Sequence, residues 1–274
     1  MKKTQFAIIG NPIAHSLSPV LHNYWFSKYN ISANYSLLNI ETKELENVVQ
    51  KIRSNELTGI NITLPYKQKI IPFVDLLVND AKSTNSVNTI FLDDSNRIVG
   101  ENTDVFGLQA GYLKEINNIE QKSVLVIGAG GVSPSIIFSL QKSKIKNISI
   151  INRTHEKSIF LKKKFNFLNI LEWKSLRQEI CNFDIIINAT SLGLKNGQDF
   201  EFNFDNVKDN LIYIDTIYNP LETKTIKFLK EKKIKTLNGL DMFLYQGQKS
   251  FYLWNKINPE IDDKLISLLI SKLK

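Results

Sequence analysis

Two stretches of this chain set polar side chains at spacings suited to an oxygen-rich small molecule. Gly10-Asn11-Pro12-Ile13-Ala14-His15-Ser16-Leu17-Ser18-Pro19 is a polar loop between a strand pattern and a helix pattern, and it puts the hydroxyls of Ser16 and Ser18 two residues apart. Asn61-Ile62-Thr63-Leu64-Pro65-Tyr66-Lys67 alternates polar side chains along a strand that ends in a lysine. Asn88 lies in another strand pattern, and Asn102-Thr103-Asp104 falls where two domains are expected to meet. Each has a plain structural reading. Ser18 suits a helix N-cap with Pro19 at the first helical position, Asn61 a strand-end turn, and Lys67, just after Pro65, a charge close to solvent. Together they form a set of donors and acceptors fit for a polyhydroxylated acid.

A second kind of signal lies at Val124-Leu125-Val126-Ile127-Gly128-Ala129-Gly130-Gly131-Val132-Ser133. This is an apolar strand that enters a glycine turn before a helix. Glycine permits the tight turn and a close backbone approach, and a helix N-terminus offers free N–H groups to a pyrophosphate. The pattern is G-x-G-x-x-S, with Ser133 in place of the third glycine. Where an NAD-binding fold usually carries an acid for the ribose 2′-OH, this chain has Asn152, Arg153 and Thr154. There is no carboxylate to repel a phosphate, a guanidinium is supplied, and Lys157 adds a further donor. NADP is therefore the expected cofactor, the alternative being that Arg153 is a solvated loop charge.

These residues need a scaffold of alternating strands and helices. Strand patterns cover 5–10, 35–40, 59–64 and 87–92, with helical stretches near 19–29, 43–53 and 104–116. From residue 123 the strands become β-branched and continuously apolar, at 123–128, 148–151, 184–189 and 211–215, as buried parallel strands do. Helical segments at 133–143, 155–164 and 222–233 alternate with them, which is the doubly wound α/β pattern. Beyond Gly239 the chain is strongly helical, through 241–255 and 262–274. The fold class expected is α/β, with an N-terminal α/β domain and a Rossmann-like dinucleotide-binding domain.

Composition bounds the rest. The 274 residues are 43% hydrophobic and 23% charged, as in an ordinary globular protein with a sizeable core. A net charge of +8 invites a nucleic-acid reading. The lysines are scattered, however, and only Arg53, Arg97, Arg153 and Arg177 are arginines, so no nucleic-acid partner is expected. No apolar run approaches the ~20 residues of a membrane span, and the N-terminus lacks a signal-peptide cleavage site. A single cysteine, Cys181, agrees with a reducing cytoplasm. His15, His22 and His155 show no metal-ligand spacing.

Over essentially its whole length the sequence resembles the shikimate dehydrogenases. The matching segments are Gly10–Pro19, Asn61–Lys67, Val87-Asn88-Thr89, Asn102–Asp104, Gly128–Gly131, Asn152–Thr154, Asn188-Ala189-Thr190-Ser191-Leu192-Gly193, Tyr218-Asn219-Pro220-Leu221-Glu222-Thr223 and Asn238–Gln246. The resemblance implies reversible NADPH-dependent reduction of 3-dehydroshikimate to shikimate, in aromatic amino-acid biosynthesis. It implies a substrate domain of residues 1–103 plus 240–274, with the C-terminal helices returning to it, and an NADP-binding domain of residues 104–239. By the same resemblance Ser16 and Ser18 hold the substrate carboxylate. Asn61, Thr63, Asn88, Asp104 and Gln246 bind ring hydroxyls, with Tyr218 nearby, and Lys67 and Asp104 form the catalytic pair. Gly128, Ala129, Gly130, Gly131, Asn152, Arg153, Thr154 and Lys157 hold the phosphates and adenosine. Asn188, Ala189, Thr190 and Gly239 line the nicotinamide side, and Met242 touches either the cofactor or the core. Three departures from the family pattern stand out: Ser133-Pro134 ends the phosphate loop, Val105-Phe106 replaces the frequent glycine after the Asp, and Lys157 stands where an arginine often assists. The partners expected are small molecules for a monomer or homodimer. The alternatives are a quinate/shikimate dehydrogenase that uses NAD and a non-catalytic Rossmann module that senses NADP or substrate.

Overall fold

The computed structural model describes residues 3–194 and 197–273. In chain order the first elements are β1 (Thr4–Gly10), α1 (Ser18–Lys28), β2 (Ala33–Asn39), α2 (Leu45–Arg53), β3 (Gly59–Ile62), β4 (Leu76–Leu77), α3 (Asn79–Thr84), β5 (Thr89–Leu92), β6 (Ile98–Glu101) and α4 (Asp104–Gly111). There follow β7 (Ser123–Ile127), α5 (Ser133–Lys142), β8 (Asn147–Ile151), α6 (His155–Lys164), β9 (Asn169–Leu171), α7 (Leu176–Glu179), β10 (Ile185–Asn188), β11 (Ile212–Asp215), α8 (Lys224–Glu231), β12 (Lys235–Leu237), α9 (Leu240–Asn255) and α10 (Asp263–Lys272). The chain divides into two compact units, Met1–Gly107 with Leu244–Lys272, and Leu108–Phe243 with Leu273–Lys274. These divisions fall inside α4 and α9, four residues from the boundaries expected from the resemblance. Among the described residues no helix is long and apolar enough to cross a membrane.

The first unit is a mixed sheet in the order β2-β1-β3-β5-β6-β4. β1 pairs parallel with β2 and β3, whereas β5 runs antiparallel to both β3 and β6. One face is aliphatic: Ala7, Ile9, Ile60 and Ile62 meet Leu45, Val48, Val49 and Ile52 of α2. The other is aromatic, where Phe6, His22, Trp25, Phe26 and Tyr35 meet Phe251 and Trp254 of α9. A Cβ on Gly59 would stand 2.3 Å from Trp254 Nε1, so glycine is what lets α9 lie this close. The Trp254 indole N–H donates to the Ile90 carbonyl at 3.1 Å, and that of Trp25 donates to the Glu260 carbonyl at 2.9 Å. The C-terminal helices thus complete the core of the N-terminal unit: the aromatic residues of α9 cover this face of the sheet, and α10 packs on α1 with Leu265 and Leu269 buried.

The second unit is an all-parallel sheet in the order β12-β11-β10-β7-β8-β9. Renumbered from its own first strand this is 3-2-1-4-5-6, the order of dinucleotide-binding folds, in which the ligand sits outside the strand ends where the order reverses. That reversal lies between β7 and β10. The glycine loop leaves β7 there, and Asn188-Ala189-Thr190 leaves β10 beside it.

Candidate active site

In the first unit the elements bring the predicted polar residues to one place. Lys67, just beyond β3, donates from Nζ to Asp104 Oδ2 at 2.5 Å, with side chains only 12% and 7% exposed. This corrects the expectation of a solvent-facing lysine: the side chain turns inward onto the start of α4. The other Asp104 oxygen accepts from Asn88 Nδ2 at 2.9 Å. Asn88 Oδ1 accepts from the Thr103 backbone N–H at 2.7 Å, and because an N–H can only donate, that bond fixes which way the Asn88 amide faces. Gln246, on α9, offers Oε1 to the same Asn88 Nδ2 at 3.5 Å.

Asn61 lies deeper, buried in β3. Its Nδ2 donates to the Asn88 carbonyl, Thr89 Oγ1 and Ser250 Oγ, each at 3.0 Å, and its Oδ1 accepts from the Tyr35 hydroxyl at 2.7 Å. Its amide nitrogen, with two N–H bonds facing three acceptors, is therefore fully used by the protein, in a web that also joins Thr89, Thr103 and Ser250. Thr63 is half-buried; its backbone N–H donates to the Ile9 carbonyl and its methyl lies against Gly10. Ser16 Oγ donates to Ser18 Oγ at 3.1 Å and accepts from the Ser18 backbone N–H at 3.3 Å. Ser18 is thus not the N-cap its sequence suggested. The helix starts at Ser18 itself, Leu17 holds the cap position without a side-chain bond, and the hydroxyl that takes a backbone N–H is that of Ser16.

Sequence reasoning missed Tyr35, Thr89, Thr103 and Ser250. Thr89 and Thr103 stood inside quoted motifs. Ser250 is four residues after Gln246, one helical turn along the same face, and Tyr35 is the one buried position of β2.

In the second unit the glycine loop is built to take a phosphate. Gly128 has φ +110, and a Cβ there would meet Thr190 Cγ2 at 2.8 Å. At Gly130 a Cβ would meet only the Ala189 carbonyl, at 3.9 Å, which leaves open space over the loop. Among the described residues the N–H groups of Gly130, Gly131 and Val132 have no recorded acceptor. Ser133, the departure from the third glycine, is fully buried and donates from Oγ to the Gly128 carbonyl at 2.9 Å, closing the loop on itself. The residues present fit a pyrophosphate.

Asn152 accepts the Ala129 N–H on Oδ1 at 3.0 Å and donates to the Thr154 carbonyl at 2.7 Å, so it ties the loop to the end of β8. Arg153, Thr154 and Lys157 are exposed, and neither cation has an ion-pair partner among the described residues. Asn188 is buried, bonded to Asp215 Oδ1, the Leu192 carbonyl and both the N–H and hydroxyl of Thr190. Burial pushes Asp215 up to about 6, against the lowering effect of hydrogen bonds from the Ile217 N–H, Thr223 and Asn188. Gly239 has no room for a side chain, a Cβ falling 2.3 Å from the Thr216 carbonyl. Met242 is buried in this unit's apolar core, the second of its two expected places. Tyr218 also belongs to this unit, its ring stacked on Phe243 with centroids 4.9 Å apart.

Residues 8–90 match the family described as shikimate dehydrogenase substrate binding domain, and residues 112–220 match the one described as shikimate / quinate 5-dehydrogenase. A Pelagibacter ubique protein named shikimate dehydrogenase (NADP(+)) is 46% identical, over 98% of this chain and 99% of its own. The crystal structure of shikimate dehydrogenase from Aquifex aeolicus superposes with a TM-score of 0.88 at 34% identity, covering 99% of this chain and 98% of that one. A Listeria monocytogenes shikimate 5-dehydrogenase, solved in complex with shikimate and NAD, gives 0.88 at 31% identity, covering 97% and 96%.

Proposed function

The chain belongs to the shikimate dehydrogenase family, and from that premise we propose that it interconverts 3-dehydroshikimate and shikimate with NADP(H). The observation that carries this reading is the Lys67–Asp104 pair, held by Asn88 among the hydroxyls and amides of the first unit. A protein that only sensed its ligand would have no use for a partly buried ammonium clamped at this distance.

NADPH supplies the hydride. Negative charge that builds on the C3 oxygen during reduction is stabilised by a hydrogen bond from the Lys67 ammonium, and the oxygen becomes a hydroxyl by taking a proton from the Lys67–Asp104 pair. Asp104 keeps Lys67 aimed, and its carboxylate accepts a hydrogen bond from a neighbouring ring hydroxyl. Ser16 and Ser18, whose hydroxyls now bond each other, turn to the substrate carboxylate. Asn88 and Gln246 read ring hydroxyls from the edge of the same network, and Thr63, just beyond β3, reads another. Asn61 serves from behind, holding Asn88.

In the second unit Gly128, Ala129, Gly130 and Gly131 cradle the pyrophosphate, with Asn152 fixing the loop, while Arg153, Thr154 and Lys157 take the 2′-phosphate. Asn188, Ala189, Thr190 and Gly239 shape the nicotinamide side. NADP is favoured by the unpaired Arg153, by the absence of an acid at residue 152 and by the name of the Pelagibacter relative. We place the enzyme in the cytoplasm, as a monomer or homodimer with small-molecule partners only; the single cysteine and the scattered lysines support this.

A quinate-oxidising, NAD-using activity is the second reading, favoured by the family that matches residues 112–220 and by the NAD held in the Listeria structure. One assay separates them. Purified protein is given shikimate or quinate with NADP⁺ or NAD⁺, and absorbance of the reduced cofactor is followed. Turnover is expected with shikimate and NADP⁺ well above the other three pairs. No turnover with any pair would overturn the reading, and quinate with NAD⁺ as the best pair would install its rival.

A further inference from the structure

We propose that Tyr35 is a positioning residue for the reaction, its buried hydroxyl holding the amide array that orients Asp104 and Lys67. The inference rests on the proposed catalytic pair and extends it to a residue two strands away on the same face of the sheet.

The argument turns on which groups are able to donate. The Asn88 backbone carbonyl can only accept, so Asn61, 3.0 Å away, must turn its amide nitrogen to it and its amide oxygen to Tyr35. That leaves the Tyr35 hydroxyl as donor, at 2.7 Å. From there the donors run one way. Asn61 Nδ2 donates to Thr89 Oγ1 at 3.0 Å, Thr89 Oγ1 donates to Asn88 Oδ1 at 3.0 Å, and Asn88 Nδ2 donates to Asp104 Oδ1 at 2.9 Å. Lys67 closes the line on Asp104 Oδ2. In such a buried chain each bond polarises the next, and a missing first donor leaves a buried acceptor unsatisfied. Every bond in the line donates toward the Asp104 end.

The surroundings of Tyr35 leave its proton one strong acceptor. One face of the ring lies flat on His22, with centroids 4.4 Å apart and planes 8° from parallel. His22 is fully buried, and neither ring nitrogen has a hydrogen-bond partner among the described residues. It clamps the ring by shape, with Trp254 packed beside both. A second polar neighbour of the phenol oxygen is the Ser18 hydroxyl, itself bonded to Ser16. Tyr35 therefore stands between the serines assigned to the substrate carboxylate and the amides assigned to its ring.

The test is Tyr35→Phe, which keeps the ring on His22 and removes only the hydroxyl. We expect kcat/KM for shikimate to fall about tenfold or more, the equivalent of one lost buried hydrogen bond, while KM for NADP⁺ stays within twofold. Asn61→Ala breaks the same bond from its other end, and it provides a second variant should the first fold poorly. Because Tyr35 acts through Asn61, the double variant should be no slower than Asn61→Ala alone. A Tyr35→Phe enzyme that melts earlier yet retains parental kcat and KM would make the hydroxyl merely structural and overturn the proposal, as would losses that multiply in the double variant. Assaying the parent and Lys67→Met alongside keeps the issues apart: if the parent turns over shikimate and Lys67→Met does not, the functional reading stands whatever Tyr35 does.

Discussion

Replacing Lys67 by methionine tests catalysis and folding together, because the lysine is half of a buried pair. In the parent, Asp104 has Lys67 on one oxygen at 2.5 Å and the Asn88 amide on the other at 2.9 Å. Methionine fills similar volume and leaves the carboxylate with one neutral donor. Breaking a buried pair from one side costs about 3–5 kcal/mol, most of it from the stranded charge. The pair retains a little solvent, so we take the lower end, ~3 kcal/mol, which corresponds to a fall in Tm of roughly 6–12 °C for a protein of this size. Turnover should fall by ~10²–10⁴, the usual contribution of a positioned acid–base group. The two losses are separable. In Lys67→Met/Asp104→Asn the stranded charge is gone, so most of the stability should return while kcat stays low. The measurements are thermal melts by circular dichroism and kcat with shikimate and NADP⁺ on the same preparations. Near-parental turnover in Lys67→Met would remove Lys67 from the mechanism. An unchanged Tm, or a double variant no more stable than the single, would refute the stranded-charge argument.

Arg153→Ala should raise KM for NADP⁺ about 10- to 100-fold through one lost charge-assisted contact, with Lys157 limiting the loss, and should leave NAD⁺ kinetics nearly unchanged; equal losses with both cofactors would refute the assignment to the 2′-phosphate. Asp215 is raised to about 6 by burial, so between pH 4 and 6 the folded state holds a proton that the unfolded state has lost, and stability falls as pH rises through that window. Asp215→Asn should therefore be more stable than the parent by up to about 3 kcal/mol at pH 7, with no advantage at pH 4. Urea melts at both values check this, and a difference independent of pH would refute it. His22 gives the opposite sign: burial lowers it to about 3, so it stays neutral when folded but takes up a proton when unfolded below its ordinary value of 6.5. Stability is complete above pH 6.5 and drains as pH falls, by about 2 kcal/mol at pH 5, and His22→Phe should lose that acid-side slope. A variant that tracks the parent from pH 7 to pH 5 would show that His22 does not titrate on unfolding.

What the sequence made legible follows from how local each signal is. The second unit's central strands were readable because each is an unbroken apolar run buried on both faces, as Val124–Ile127 and Ile185–Ile187 are. β4, β9 and β12 were not, since a strand of two or three residues at a sheet edge carries too little pattern, and β6 exists mainly through its pairing with β5. Ser18 looked like a cap because hydroxyl-then-proline is the usual helix start. Cap assignment depends on backbone angles, however, and the chain begins its helix one residue sooner. Lys67 was read as solvent-facing from its neighbours, whereas its partner Asp104 lies 37 residues away and no local pattern announces such a pairing.

The same limit applies to roles as opposed to positions. Motifs marked Asn61, Asn152 and Asn188 as site residues, and all three stand at strand ends or in strands beside the proposed ligands. Yet each amide is used at both ends by the protein: Asn61 between Tyr35 and Asn88, Asn152 between Ala129 and Thr154, Asn188 between Thr190 and Asp215. An asparagine side chain is suited to this because it donates and accepts within one short planar group. It can bridge a loop to a strand where an acid would only accept and a lysine would only donate. The residues left with capacity to spare are of a different kind. Ser16 and Ser18 bond mainly each other and rotate at little cost, Arg153 and Lys157 have no ion partner among the described residues, and Lys67 has donors beyond the one Asp104 takes. In both units the amides thus hold the shape, and the hydroxyls and cations they hold in place remain free to meet a ligand.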